Sequence, residues 1–213
     1  MLNKLTISPS LQLWETTIEG PTIESALGIQ EHFSQSEYQQ FSNIKSPKRA
    51  NEYLVSRWLI RQALSQTFNV NNDYWEIEDY PKSLPHIKNM PIPLFYSLSH
   101  SKERVSFAIS ENRVGLDLEK VVVKKKLVPL AEQFMHSDEI QELISKDAHE
   151  QLRYFYFIWS AKEAYYKMLR KNEQVGHVFS EYMITPLVLN NKNLSIHDLS
   201  NDSFAKIVIQ YAI

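Results

Sequence analysis

The chain has 213 residues, enough for one large domain or two small ones, each with a real core. A formal net charge of -2, with 43% hydrophobic and 23% charged residues, is an ordinary soluble composition and supplies no global basic field for nucleic acid. Cysteine is absent, which excludes disulfides, thiolate metal ligands and a cysteine nucleophile and fits a reducing compartment. No apolar run is long enough to span a bilayer, and Met1 to Thr6 lacks the apolar region of a signal peptide, so a cytoplasmic location is expected. Four glycines leave no room for a P-loop or a dinucleotide fingerprint.

Leu11 to Ile18 reads as a strand. Ser34-x-x-Glu37 is a capping-box pattern opening a short helix through about Phe41. Ser46-Pro47 starts a long helix, with Ser as N-cap and Pro at the first helical position, and Asn69 to Asn72 ends it. Pro81 to Pro93 reads as an extended surface segment. Phe95 to Leu98 and Val105 to Ser110 predict two strands about a polar turn, and Glu111-Asn112-Arg113 leads into a strand over Val114 to Glu119. Pro129 opens a short helix through Phe134, and Ser137-Asp138-Glu139 opens another with acids in its first turn. Asp147-x-x-Glu150 precedes a long helix to about Arg170. Strands are expected near Phe179 to Thr185, Leu187 to Leu189 and Ala205 to Tyr211. The fold class is therefore α+β, each half a long helix with antiparallel strands, divided as 1-112 and 113-213. The halves repeat in the order of elements and not in the residues themselves.

In a strand side chains alternate faces, so Val114, Leu116 and Leu118 point one way into a core and Gly115, Asp117 and Glu119 the other. Two carboxylates two residues apart repel unless water or a divalent cation offsets them; taken alone, a solvated edge-strand face is the commoner reading. On the long helix, Trp159, Glu163 and Lys167 recur at four-residue spacing and share a face. A Glu on an otherwise apolar stripe is costly to bury without a partner, which weighs against a simple surface Glu-Lys pair. Lys162 lies about 100° round the helix and reads equally well as a solvated lysine. Ser97-Leu98-Ser99-His100-Ser101 follows a strand end, where hydroxyls and an imidazole can meet phosphate oxygens or simply cap a turn. Lys48 and Arg49 sit in the first turn of a helix, where cations oppose the helix dipole unless an anion comes there. Arg57 and Arg61, at later turns, extend the same possible phosphate-binding edge. Lys124-Lys125-Lys126, after three valines, is either an exposed basic loop or a docking site for an acidic partner.

At these residues the chain resembles the 4′-phosphopantetheinyl transferase superfamily, in particular the larger pseudo-dimeric type that activates peptide and polyketide synthetases. Its two signatures, (V/I)G-x-D-x-E and W-S-x-K-E-x-x-x-K, stand in full as Val114 to Glu119 and Trp159 to Lys167. Phe95 to Ser101 is similar to the family's F-N-x-S-H-S element, and Lys48-Arg49 through Arg57 and Arg61 to its early basic helix. The chain departs from the family twice. Ile87-Lys88-Asn89-Met90-Pro91 stands where G-K-P is frequent, and no glycine pair follows the second signature.

The resemblance implies two similar α+β halves related by pseudo-twofold symmetry, with a site in the cleft between them. The reaction implied is Mg2+-dependent transfer of the phosphopantetheine arm of coenzyme A to a serine of an apo acyl, peptidyl or aryl carrier protein domain, releasing adenosine 3′,5′-bisphosphate. By the same resemblance, Asp117, Glu119 and Glu163 hold the metal, and Glu163 or a water at the metal takes the serine proton. Lys167 contacts the pyrophosphate. His100 and Ser99 hold phosphate oxygens. Lys48, Arg49 and Arg57 form the 3′-phosphate pocket, with Lys88 an auxiliary cation. The stretch from Val121 to Met135 is a docking surface for a small acidic helical domain, and a monomer with no nucleic acid or membrane partner is expected. Two other readings use the same residues: a Mg2+-dependent phosphoesterase, which would consume coenzyme A without a carrier, and a non-catalytic binding module.

Overall fold

The computed structural model describes residues 2–80 and 83–212, and its contacts divide the chain into two units, Met1–Glu111 and Asn112–Ile213. Pro81 and Lys82, which open the expected extended segment, lie outside the described residues.

In the first unit, β1 (Asn3–Ser8), β2 (Leu11–Thr17), β5 (Phe95–Ser101) and β6 (Arg104–Ser110) form an antiparallel sheet in the order β1-β2-β6-β5. A two-stranded ladder of β3 (Ile77–Glu78) and β4 (His86–Ile87) lies apart from it. Two short helices, α1 (Gly20–Leu27) and α2 (Gln35–Ser42), precede the long α3 (Pro47–Phe68). The ends of α3 follow the expected chemistry. The Ser46 side chain accepts the Arg49 N–H, Pro47 occupies the first turn, and Asn69 closes the helix in the left-handed region at φ 54°, ψ 48°. Its apolar stripe, including Leu54, Leu59, Ile60 and Leu64, packs with Trp14, Val105 and Phe107 of the sheet and with Trp75.

The second unit has a three-stranded antiparallel sheet ordered β7-β9-β8, from β7 (Arg113–Lys120), β8 (Leu194–Asp198) and β9 (Phe204–Tyr211). The long α6 (Ala148–Met168) lies on it, and α4 (Leu127–Ala131), α5 (Ser137–Ser145), α7 (Lys171–Gln174) and α8 (Ile184–Leu189) complete the unit. Asp147 caps α6 by accepting the N–H groups of His149 and Glu150. Leu143, Phe155, Ile158, Ala161, Ala164, Ile207 and Ile209 form its core.

Several expectations are corrected. The strands expected from Phe179 to Leu189 are a 3-10 turn at Phe179–Glu181 and the helix α8. A short apolar run does not separate helix from strand by periodicity, and Pro186 is tolerated because it falls in a first turn. β1, α1 and β8 have weak patterns and were not anticipated. The carboxylate face of β7 is not a solvated edge. Asp117 and Glu119 stand opposite Ile207 and Ala205 of β9, which belong to the core under α6. The other face, with Val114, Leu116 and Leu118, is buried as well.

Two basic residues, Arg61 expected on a phosphate-binding edge and Lys162 read as a possible solvated lysine, are buried. Arg61 is fully enclosed; its two terminal nitrogens donate to the two Glu37 oxygens at 2.8 and 2.7 Å, and one also reaches the His32 carbonyl at 3.0 Å. Lys162 is also fully enclosed, 2.6 Å from Glu139 and donating to the carbonyls of Phe134, Phe179 and Tyr182. The two arrangements match. Glu37 is the N3 residue of the Ser34 capping box of α2, and Glu139 is the N3 residue of the His136 capping box of α5. In each unit, the acid that closes a short helix's capping box also neutralises a buried base on the following long helix. At the level of residues, this is the repeat that the sequence alone did not reveal.

Removing one partner of a buried pair leaves an uncompensated charge, so Glu37→Ala is expected to destabilise the protein by about 3–5 kcal/mol. Urea unfolding measures this directly. A loss below about 1 kcal/mol, the scale of an exposed pair, would show that Arg61 finds other compensation.

Candidate active site

The second unit's site starts from a glycine. A Cβ on Gly115 would lie 1.8 Å from the Ala164 carbonyl oxygen and 2.8 Å from the Met168 nitrogen. The backbone of α6 therefore rests directly on β7 at this point, which only a residue without a side chain permits. Asp117 and Glu119 lie two and four residues along the same face of β7. Glu163 immediately precedes the contacted Ala164, and Lys167 follows it by less than one turn. The close crossing thus delivers the acid and base of the helix to the acids of the strand.

Lys167 Nζ donates to Asp117 Oδ1 at 2.7 Å, with the Asp117 side chain 4% exposed and that of Lys167 28%. The Glu163 carboxyl is pushed above its ordinary value, chiefly by burial; the Lys167 charge opposes the rise, and the charges of Asp117 and Glu119 add to it. The site thus brings three acids together with the Lys167 ammonium, and the acids act on one another. Among the described residues no group of three or more His, Cys, Asp or Glu is gathered tightly enough to grip an ion as it stands. The donor set nonetheless suits a hard divalent cation, because all three groups offer carboxylate oxygen and their mutual repulsion needs positive charge.

In the first unit, Arg49, Arg57 and His100 line one cavity of about 470 Å³, together with Tyr53, Ser56 and Leu98. Arg57 is largely committed elsewhere. It lies 2.5 Å from Asp79, 3.6 Å from Glu37 and 4.3 Å above the Tyr53 ring. The Tyr53 hydroxyl bonds Asp79 and the Glu37 carbonyl, and burial holds its pKa far above the phenol range. Arg49 therefore presents the more accessible guanidinium of the two. Other expected residues are not brought here. Lys48 is exposed and 3.9 Å from Glu52, and it does not line the cavity. Ser99 is buried and alternates with His100 along β5, so it faces the opposite side of the sheet. Lys88 borders a separate cavity of about 190 Å³, 3.2 Å from Glu78 and 3.9 Å from Glu76.

Asp79, Tyr53 and Glu139 position this chemistry and were not singled out from the sequence. Glu37 was read only as a helix cap. The available signal was two capping boxes each followed about two dozen residues later by a base on an apolar helix stripe.

Comparison with known proteins agrees with the signatures. Residues 113–212 match the family described as the 4′-phosphopantetheinyl transferase superfamily. The chain is 31% identical over 127 residues to 4′-phosphopantetheinyl transferase psf-1 of Bacillus pumilus, covering 60% of this chain and 53% of that one. It is 30% identical over 145 residues to 4′-phosphopantetheinyl transferase gsp of Aneurinibacillus migulanus, covering 67% and 58%. It is 27% identical over 146 residues to 4′-phosphopantetheinyl transferase Sfp of Bacillus subtilis (strain 168), covering 63% and 64%. The chain thus spans between about half and two thirds of the length of these curated relatives.

Gly115→Ala forces a methyl group into the Ala164 backbone, which has no flexible end to yield. Overpacking of this kind costs about 1–3 kcal/mol or more. A lowered melting temperature is expected, along with loss of the Lys167–Asp117 contact, read as a change in the Lys167 ammonium resonance by NMR. An unchanged melting temperature and resonance would contradict the close crossing.

Proposed function

We propose that this chain, whose residues 113–212 match the 4′-phosphopantetheinyl transferase superfamily, transfers the 4′-phosphopantetheine arm of coenzyme A to a serine of an apo acyl, peptidyl or aryl carrier protein domain. Adenosine 3′,5′-bisphosphate is the other product. The observation that carries the reading is the convergence of signature residues Asp117, Glu119, Glu163 and Lys167 at the crossing of α6 on β7. The pseudo-twofold relation of the halves belongs to the same proposal, supported by the matched capping-box ion pairs. So does a cytoplasmic monomer; no helix among the described residues is long and apolar enough to cross a membrane.

The serine oxygen attacks the phosphorus that carries the pantetheine arm, and the bridging P–O bond to the adenylate side breaks. Asp117, Glu119 and Glu163 would hold Mg2+, which when bound neutralises charge on the pyrophosphate oxygens. Glu163, or a water beside it, would accept the serine proton. Lys167, released from Asp117 towards the pyrophosphate, stabilises the leaving phosphate. Arg49 and His100 in the first-unit cavity hold phosphate oxygens of coenzyme A, with Arg57 as part of the wall. Lys48, Lys88 and Ser99 stay in the proposal as outer contacts that need movement to reach this ligand. The exposed loop with Val123 and Lys124 to Lys126 offers a docking face to an acidic carrier.

Intact mass spectrometry of candidate apo carriers, after incubation with the protein, coenzyme A and Mg2+, should show the gain of one phosphopantetheine. Glu163→Gln should lower the rate by about 10²–10⁴-fold, the usual worth of a general base. Consumption of coenzyme A without any carrier would instead identify a hydrolase.

Metal binding has its own readout. Mg2+ should raise the melting temperature of the wild type and not that of Asp117→Asn. The sign with pH follows from the raised pKa. Protons compete with the ion for Glu163, so the Mg2+-induced shift should shrink as pH falls, starting at a higher pH than an exposed glutamate would give. A shift that persists unchanged to pH 4, about where an ordinary glutamate titrates, would remove Glu163 from the ligand set.

A further inference from the structure

A second cavity, of about 450 Å³, lies wholly within the second unit and takes no part in the chemistry above. One wall is the N-terminal half of α6, where His149, Arg153 and Phe157 recur at four-residue spacing and form a single stripe. Facing them are Val121 and the turn joining β8 to β9. The walls are held firmly. Tyr156 Oη donates to the Val122 carbonyl at 3.1 Å and accepts its N–H at 3.2 Å. Asp198 accepts the Ser200 N–H, and Asn201 accepts those of Ser203 and Phe204.

His149 is in the first turn of α6 and Arg153 in the second, both exposed on the helix wall. Among the described residues neither side chain makes an ion pair or hydrogen bond. Lys146, on the same rim, is 3.1 Å from Glu142 and 4.8 Å above the Tyr154 ring. Of the two acids on the walls, Asp198 is engaged with its own turn, and Glu150 forms no ion pair with either cation.

The cavity also adjoins the acid face of β7. Val121 lies two residues beyond Glu119, and Ala205, which lines the cavity, is the cross-strand partner of Glu119. The lysine run of residues 124–126 begins from the same wall. The opening therefore lies beside the strand face that carries Glu119.

We infer that this cavity is a docking subsite of the acceptor protein: an acidic side chain of the carrier domain enters it, its carboxylate on Arg153 and His149 and its stem on Phe157. The inference rests on the transferase reading. Charge complementarity selects the occupant, since the Arg153 guanidinium, on one stripe with an imidazole that can donate a hydrogen bond and with an aromatic residue, receives a carboxylate on an apolar stem.

The test uses a carrier domain that the wild-type chain modifies. Arg153→Glu should raise the KM for the carrier by about ten-fold and leave the KM for coenzyme A unmoved, the mark of a lost docking charge. Titration calorimetry of the apo carrier without coenzyme A should show the same loss, with a shallower salt dependence. Both side chains are exposed, so unchanged melting of the variant confirms its fold. Lysine substitution of the contacting carrier acid should be rescued by Arg153→Glu. No transfer by the wild type sinks both readings. Transfer with carrier KM and affinity unchanged in Arg153→Glu overturns the subsite alone, as does finding that inorganic phosphate perturbs Arg153 by NMR without competing with the carrier.

Discussion

The second unit depends on one steric constraint, the contact of a helix backbone with a strand at Gly115. Side chains normally hold a helix backbone away from the sheet it covers. Dropping one Cβ lets the chain of α6 touch β7, and the residues flanking Ala164 are lowered with it. Glu163 becomes buried enough for its carboxyl to resist ionisation, while Lys167 comes within a hydrogen bond of Asp117. The glycine of the first signature and the alanine of the second are therefore two sides of one contact. The acids and the lysine are the groups that this contact brings together.

A close crossing of this kind is useful only if the helix cannot slide or rotate. The anchor on α6 is Lys162, the residue before Glu163. Its ammonium is bound to Glu139 and to three carbonyls from two other segments, so the helix is fixed next to Glu163. Glu139 in turn accepts the Ile184 N–H and its own cap's N–H, at 2.9 and 3.0 Å, which ties α5 and the start of α8 to the same node. The first unit solves the same problem in the same way with Arg61 and Glu37, and adds Arg57, Asp79 and Tyr53 beside it. Buried ion pairs contribute little net stability compared with apolar packing. Their value here is directional: they allow one rotation of each long helix and penalise the others.

The sequence made the long helices legible because their ends carry unambiguous chemistry. Ser46-Pro47, Asn69 and Asp147 each do what their side chains dictate. The signature acids were legible as a set, and β7 and α6 do bring them together. What stayed hidden was whatever depends on tertiary contact. Alternation along β7 told which residues share a face but not which face α6 would cover, so the acids looked solvated. Arg61 and Lys162 looked like surface charges because periodicity does not register a distant glutamate. Adjacent residues Ser99 and His100 looked like one phosphate grip, although a strand turns neighbours to opposite sides. The run around Pro186 reads as a strand because a short, mostly apolar stretch fits either a strand or a short helix.

Along α6 the charged groups are sorted by burial. At its start, His149 and Arg153 are exposed and without partners. In its middle, Lys162 is enclosed and fully bonded. Near its end, Glu163 and Lys167 are half-buried, coupled to the strand and to each other. Exposure sets what each group can do. A fully buried charge with all its bonds satisfied cannot serve a ligand without unfolding its surroundings. A fully exposed one is screened by water and salt and acts mainly on what approaches from outside. Groups in between keep a strong field and can still exchange partners, as chemistry on a phosphate requires. One helix therefore carries an exposed stretch, a buried anchor and a half-buried acid and base in sequence. The order follows its distance from the sheet: the backbone touches β7 at Ala164, and a cavity opens between its N-terminal half and the β8–β9 turn.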